Sequence, residues 1–127
     1  MGADQSSASR PRANYPNAGQ AFTDIVVEAQ FDYGHAGYSG TFAEKHDFML
    51  LGQYPGDDVT LSHMEEIGEL EFSDEVEARP NDLNPLIRWL SNKGMLERAI
   101  RIDGDKWGPA LCIGTPTEWM FTGYCSS

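Results

Sequence analysis

Hydrophobic positions between residues 18 and 33 recur with the spacing of an amphipathic helix. Apolar side chains fall three or four residues apart, which places them along one helix face. Asn17 is suited to cap the N-terminus, and Gly34 is suited to end the helix. We therefore predict a helix over residues 18–33. Its inward-facing residues are predicted to be Phe22, Ile25, Val26 and Ala29.

Shorter apolar runs further along the chain predict β-strands. Residues 38–44 and 48–51 are expected to form one hairpin. Residues 106–113 and 119–125 have the aromatic and apolar content typical of central strands, and a turn lies between them. The helix is expected to pack against residues of both pairs, namely Phe42, Leu50, Leu111 and Ile113.

Capping signals predict further short helices in the second half of the chain. Ser62 opens a capping-box pattern. Asn84 followed by Pro85 suits the start of another helix, and Gly94 suits its end. Residues 95–102 fit either a helix or a strand, and we favour a strand at their C-terminal end.

These elements predict an α+β fold, in which an antiparallel sheet is covered by the N-terminal amphipathic helix and accompanied by one or two further short helices. The chain has 127 residues, enough for one buried core. Residues 18–127 are therefore predicted to form a single α+β domain. Residues 1–17 are rich in Ser, Ala, Pro and Arg with few apolar residues, so they are expected to form a flexible arm.

Charge is distributed unevenly along the chain. Twenty acidic residues against nine basic residues give a net charge of −11. This balance disfavours direct binding to nucleic-acid phosphates and favours basic protein surfaces as partners. Residues 18–78 alone carry a net charge of −13, and residues 57–77 hold nine acids with no Lys or Arg. The alternative interpretation is an acidic surface that only keeps the protein soluble.

Residues 34–47 carry the other candidate chemistry. Three glycines in this stretch are typical of a shaped turn, and we interpret them as a structural loop. They lack the continuation and the strand–helix order of a phosphate-binding loop. A pocket that gathered Glu44, Lys45 and His46 with Tyr38 would have acid–base groups, although no nucleophile–base pair is visible. The predicted loop residues are Gly34, Gly37, Tyr38 and Gly40.

The remaining titratable residues point to no cofactor and no metal. The three histidines do not show the spacing of metal ligands. Cys112 and Cys125 are expected to be reduced and packed as small apolar residues. With no apolar run of membrane-spanning length and no signal peptide, we expect a cytoplasmic protein without a membrane partner.

Three segments of the chain resemble a set of small uncharacterised proteins of bacteriophages and their bacterial hosts. The segments are residues 34–45 (GHAGYSGTFAEK), residues 105–110 (DKWGPA) and residues 120–127 (MFTGYCSS). The resemblance implies an origin in a mobile element, within a bacterial host cell, and it implies no catalytic residue. It does not extend to the acidic segment or to the helix after Pro80.

Our leading hypothesis is a non-enzymatic inhibitor of a bacterial defence system, of the anti-CRISPR or anti-restriction type. Its acidic half would occupy a basic, nucleic-acid-handling surface, since carboxylates along helices can imitate a row of phosphates. The alternative hypotheses are a small ligand-binding domain or enzyme centred on residues 34–47, and a virion or scaffold component. The predicted partner-binding residues are Asp24, Glu28, Asp32, Glu65, Glu66, Glu69 and Glu71.

Overall fold

The computed structural model describes residues 3–33, 41–70 and 78–126, and it combines a four-stranded sheet with helices. One short 3-10 turn, Phe42–Glu44, precedes the second strand. In chain order the elements are β1 (Ala3–Pro11), α1 (Ala18–Tyr33), β2 (Phe48–Gln53), α2 (Leu61–Glu69), α3 (Pro85–Asn92), α4 (Leu96–Gly104), β3 (Ala110–Gly114) and β4 (Glu118–Ser126).

The sheet is mixed, with the strand order β1-β4-β3-β2. β4 pairs antiparallel with both β1 and β3, whereas β2 pairs parallel with β3. The α+β class is thus confirmed, but the prediction of a purely antiparallel sheet is wrong. The reason lies in the connection between β2 and β3, which contains α2, α3 and α4. A long helical crossover of this kind is what joins parallel neighbours.

β1 occupies the segment that the sequence predicts to be a flexible arm. It pairs with β4 over nine residues, from Ala3 opposite Ser126 to Pro11 opposite Glu118. The arm prediction is therefore wrong for these residues. Low hydrophobicity suggested disorder, yet an edge strand gains backbone hydrogen bonds from its neighbour without contributing large apolar side chains.

The predicted hairpin over residues 38–51 does not form as expected. Phe42–Glu44 is a single 3-10 turn, in which the Ala43 amide donates to Thr41 Oγ1 at 3.2 Å. The strand predicted at residues 48–51 is present as β2, but its partner is β3. The glycine loop at residues 34–40 lies outside the described residues.

The predicted helices at 18–33 and after Asn84 are both present. Oδ1 of Asn84 accepts hydrogen bonds from the amides of Leu86 and Ile87 at 2.9 and 3.2 Å, so this residue caps α3 as predicted. Gly94 follows α3 with a φ of +69°, a left-handed conformation that glycine adopts at little cost.

α2 and α4 differ from what the sequence predicts. α2 begins at Leu61, and its N-cap residue is Thr60. The capping box joins Thr60 and His63, whose Nδ1 accepts from the Thr60 amide at 2.9 Å, so the capping box predicted from Ser62 is wrong. α4 shows that residues 95–102, which fit either a helix or a strand, belong to a helix, so the strand favoured at their C-terminal end is wrong. Leu96, Ala99 and Ile100 are buried at helical spacing, and this one-sided burial against the core selects the helix.

Two hydrophobic clusters contain alternate residues of β3 and β4. Leu111 and Ile113 lie with α2, α3 and α4, whereas Cys112 lies with α1. Both faces of β3 are buried, so its successive side chains, which point to opposite faces of the sheet, enter different clusters.

In the cluster that contains α1, Phe22 is the aromatic centre. Its ring lies 5.2 Å from the ring of Phe48 and 5.7 Å from that of Phe121. Ile25 is buried and Phe42 belongs to the same cluster, as predicted. The predicted contacts to Leu111 and Ile113 are wrong because those residues lie in the other cluster, and Leu50 is 40% exposed.

Candidate functional site

The acidic row of α1 is partly neutralised from within the chain. Arg10 on β1 donates from Nε to Oδ2 of Asp24 at 2.8 Å, and its Nη2 also pairs with Glu28. The hydrogen bond from Arg10, assisted by one from Tyr15, holds the pKa of Asp24 below its ordinary value. Asp32 is exposed and has no ion pair among the residues described. Two of the three predicted binding residues on α1 therefore already have a cationic partner.

The acids of α2 are in a different electrostatic setting. Glu65, Glu66 and Glu69 are all exposed, and none forms an ion pair with a Lys or Arg in the described parts of the chain. Asp57, in the loop before α2, is also exposed. Glu71 and the other acids of residues 71–77 lie outside the described residues.

Two of the α2 acids also contact neighbouring elements. The Ser7 hydroxyl donates to Glu65 Oε1 at 2.6 Å, which ties the helix to β1. Glu66 accepts a hydrogen bond from Asn84 Nδ2, and the same amide donates to the His63 carbonyl at 3.1 Å, which ties α2 to the start of α3. Both donors are neutral, so neither hydrogen bond brings a positive charge to the carboxylate.

β1 separates the two acidic rows. Its Ala8 packs with the α1 cluster and Arg10 pairs with α1, whereas Ser7 and Gln5 bond to Glu65 of α2. Alternate residues of a strand point to opposite faces, so α1 and α2 flank β1 from opposite sides. The predicted recognition residues thus form two rows on either side of an edge strand.

Lys45 is the most deeply buried cation in the described structure. It is 2% exposed, and its Nζ donates to the carbonyls of Asp105 and Gly108 at 2.8 and 3.0 Å. Burial lowers the pKa of Lys45, while Cys125 and Asp105 act in the opposite direction. With its amine held by two carbonyls, Lys45 ties the segment before β2 to the turn before β3.

A groove of about 270 Å³ lies between α1 and the segment that contains Lys45. It corresponds to part of the alternative site predicted around residues 34–47. The predicted loop residues Gly34, Gly37, Tyr38 and Gly40 lie outside the described residues, so the structure does not bear on their role. The groove is lined by Phe22, Thr23, Val26, Val27, Gln30, Ala43, Lys45 and His46.

The two cysteines are buried and are not joined in a disulfide. Burial raises the pKa of Cys112 to about 12 and that of Cys125 to about 11, so neither thiol is poised as a nucleophile. Within residues 3–33, 41–70 and 78–126, no group of three or more His, Cys, Asp or Glu side chains is arranged to hold a metal ion. Over the same residues, no helix combines the length and apolar character needed to cross a membrane.

No protein-family model, curated protein or solved structure matches this chain.

Sequence reasoning missed Arg10, Ser7 and Asn84 as determinants of the acidic surfaces. Arg10 and Ser7 belong to the predicted arm, so nothing local linked them to α1 or α2. The sequence predicts Asn84 as a helix cap, but its second role, as a donor to Glu66, depends on the packing of α3 against α2.

Proposed function

We propose that this protein is a non-enzymatic inhibitor that binds a basic, nucleic-acid-handling protein of a bacterial defence system. The observation that carries the proposal is the exposed, uncompensated acidic surface of α2. Glu65 and Glu69 lie one helical turn apart, so both project from the same side of the helix.

The distribution of acidic and basic residues along the chain supports α2 as the binding surface. Residues 46–78 hold ten acids and no Lys or Arg. The basic residues that follow are grouped around α3 and α4, where Arg79 pairs with Asp82 and Arg101 pairs with Glu97. A basic partner would be drawn toward the α2 side, because opposite potentials steer association before contact.

The ion pairs of Arg10 favour α2 over α1 as the main binding surface. Asp24 and Glu28 already pair with Arg10, so a partner would have to displace an internal cation to use them. Glu65 and Glu69 require no such exchange. We therefore propose that the acids of α2 attract the partner more strongly than those of α1. The contribution of α1 comes mainly from Asp32.

The proposal can be tested in bacterial hosts that each carry one CRISPR or restriction system. Expression of the protein should raise the plating efficiency of a targeted phage in at least one host. The double variant Glu65→Gln/Glu69→Gln should lose that effect while remaining folded, because glutamine keeps the shape and the hydrogen-bonding oxygen. The matched control, Glu97→Gln/Glu118→Gln, removes two charges outside α2 and should retain the effect.

Two results would contradict the proposal. One is the absence of any effect of the wild-type protein across hosts that represent the main defence systems. The other is full activity of the α2 double variant, which would reduce the acidity to a solubility feature.

The groove beside Lys45 favours a second candidate function, the binding of a small ligand. Its lining combines the apolar side chains of Phe22, Val26 and Val27 with the polar side chains of Thr23, Gln30 and His46, a mixture typical of sites for small molecules. Val27→Trp should fill the groove and abolish binding in a fragment screen followed by NMR. Binding that survives this change, or a screen without hits in the groove, would remove the candidate.

A further inference from the structure

β1 is the terminal strand of the sheet, and one of its edges faces away from β4. The Arg12 amide donates to the Thr117 carbonyl at 2.9 Å, which fixes the alternation of the antiparallel ladder. Alternate residues of β1 direct their N–H and C=O groups to opposite edges of the strand. The groups of Gln5, Ser7 and Ser9 therefore point outward, away from β4. The Ser9 carbonyl accordingly accepts from Arg10 Nη1 at 2.9 Å instead of from β4.

The outer edge has the features of a strand-docking site. Within the described structure, the amides of Gln5, Ser7 and Ser9 have no backbone acceptor. The ladder with β4 runs over nine pairs without a register shift, and the side chains from residue 6 to residue 9 are small. Pro11, which has no N–H, stands at the outward position where the edge ends. Proteins usually protect such an edge with charges, bulges or a covering element, and on this edge Arg10 occupies the outward carbonyl of Ser9.

The two faces of the sheet next to this edge, one covered by α2 and the other by α1, differ in charge. On the α2 side, Glu65 contacts β1 through Ser7 and carries no compensating cation. On the α1 side, Arg10 covers Asp24 and Glu28. An added strand would therefore meet anions on one face and a guanidinium group on the other. A second copy of this chain is a poor occupant, because it would bring another net charge of −11 to the same edge.

We propose that an extended segment of the partner protein adds to β1 as a further antiparallel or parallel strand. Its Lys or Arg residues would occupy alternate positions and face α2, and uncharged residues would face Arg10. Main-chain hydrogen bonds from the outward amides would supply affinity, and the alternating pattern would supply specificity. This inference rests on the proposed function, since it takes the partner to be basic.

A pair of heptapeptides with equal charge tests the proposal. The first alternates lysine with threonine and can form a strand, and the second alternates lysine with proline and cannot. Titration into the full-length protein should show at least about tenfold tighter binding of the lysine–threonine peptide. Its addition should also slow hydrogen exchange at the outward amides of β1.

Substitutions at Ser7 distinguish the contribution of its backbone amide to peptide binding from that of its side-chain hydroxyl. Ser7→Ala removes the hydroxyl bond to Glu65 but keeps the outward amide, so it should retain the preference for the lysine–threonine peptide. Ser7→Pro removes that amide and should abolish the preference. Because the proline also restricts Ser6, the circular dichroism and melting temperature of each variant should be compared first. The exchange measurement on the wild-type protein decides the question if Ser7→Pro fails to fold.

The outcomes distinguish this inference from the proposed function. Equal, salt-sensitive binding of the two peptides would overturn strand addition and leave recognition by the acidic surface intact. Protection of the outward amides by the lysine–threonine peptide alone would support strand addition. Binding of neither peptide at low salt would count against both proposals.

Discussion

Arg10 on β1 and Asp24 on α1 form the ion pair that joins the edge strand to the first helix, with Nε 2.8 Å from Oδ2. The Arg10 side chain is 19% exposed and that of Asp24 is 43% exposed, so the pair lies partly in solvent. The main consequence of this ion pair is electrostatic: Arg10 reduces the negative potential that the acidic residues of α1 would otherwise produce.

Arg10→Gln should therefore change the titration of Asp24. In the folded chain the pKa of Asp24 lies below its unfolded value, so the ionised group stabilises the fold above about pH 3.9. This contribution is lost as the pH falls through the folded-state pKa. The substitution should move the Asp24 pKa upward in an NMR titration, and it should lower the unfolding free energy at about pH 7 more than at about pH 3. An unchanged Asp24 pKa would contradict the assigned pairing.

Ile25→Ala tests the packing of α1. Ile25 is 3% exposed, so the change should create a cavity and lower the unfolding free energy by about 2–5 kcal/mol. Val27 on the same helix is 56% exposed, and Val27→Ala should alter stability by no more than about 0.5 kcal/mol. Urea denaturation of both variants gives the comparison. Equal effects of the two changes would show that α1 does not bury the face assigned to it.

Helices α1 and α3 illustrate what sequence patterns can predict in this protein. Its apolar periodicity and flanking residues are local, and so are the Asn84 cap and the Gly94 stop of α3. Those signals yielded the correct helices. Whether residues 95–102 form a helix or a strand depends on which neighbours cover Leu96 and Ile100, and the local pattern does not contain that information.

β1 shows where local information fails. Residues 3–11 contain almost no apolar side chains, so their strand structure arises from pairing with β4, more than a hundred residues later in the chain. The same long-range contact brings Arg10 to Asp24 and Ser7 to Glu65. The acidic composition of the candidate surface was therefore predictable, but the difference between its compensated and uncompensated parts was not.

Asn84 should contribute more to stability than an ordinary helix cap. Its Oδ1 caps α3, and its Nδ2 donates to the His63 carbonyl and to Glu66 of α2. Asn84→Ala removes both roles and should cost about 2 kcal/mol or more. Asn84→Ser keeps a capping oxygen but loses the link to α2, so it should be intermediate. If the serine variant is as stable as the wild type, the link contributes nothing to stability.

The cysteines should be inert while the protein is folded. The pKa of Cys112 is about 12 and that of Cys125 is about 11, so almost no thiolate is present at about pH 8. A thiol-reactive chromogenic reagent should label neither residue in native buffer and both residues in denaturant. Labelling of the native protein faster than its unfolding would show that a thiol is accessible.

The most direct measurement of the central claim, that the α2 side of β1 is the recognition surface, is an NMR titration of the labelled full-length protein with the lysine–threonine heptapeptide. We predict that the largest changes in amide chemical shift occur at Glu65, Glu69 and the outward amides of β1, and that they disappear in Glu65→Gln/Glu69→Gln. Shifts centred on the α1 groove at Val27 and His46, or shifts that persist in the double variant, would contradict the claim.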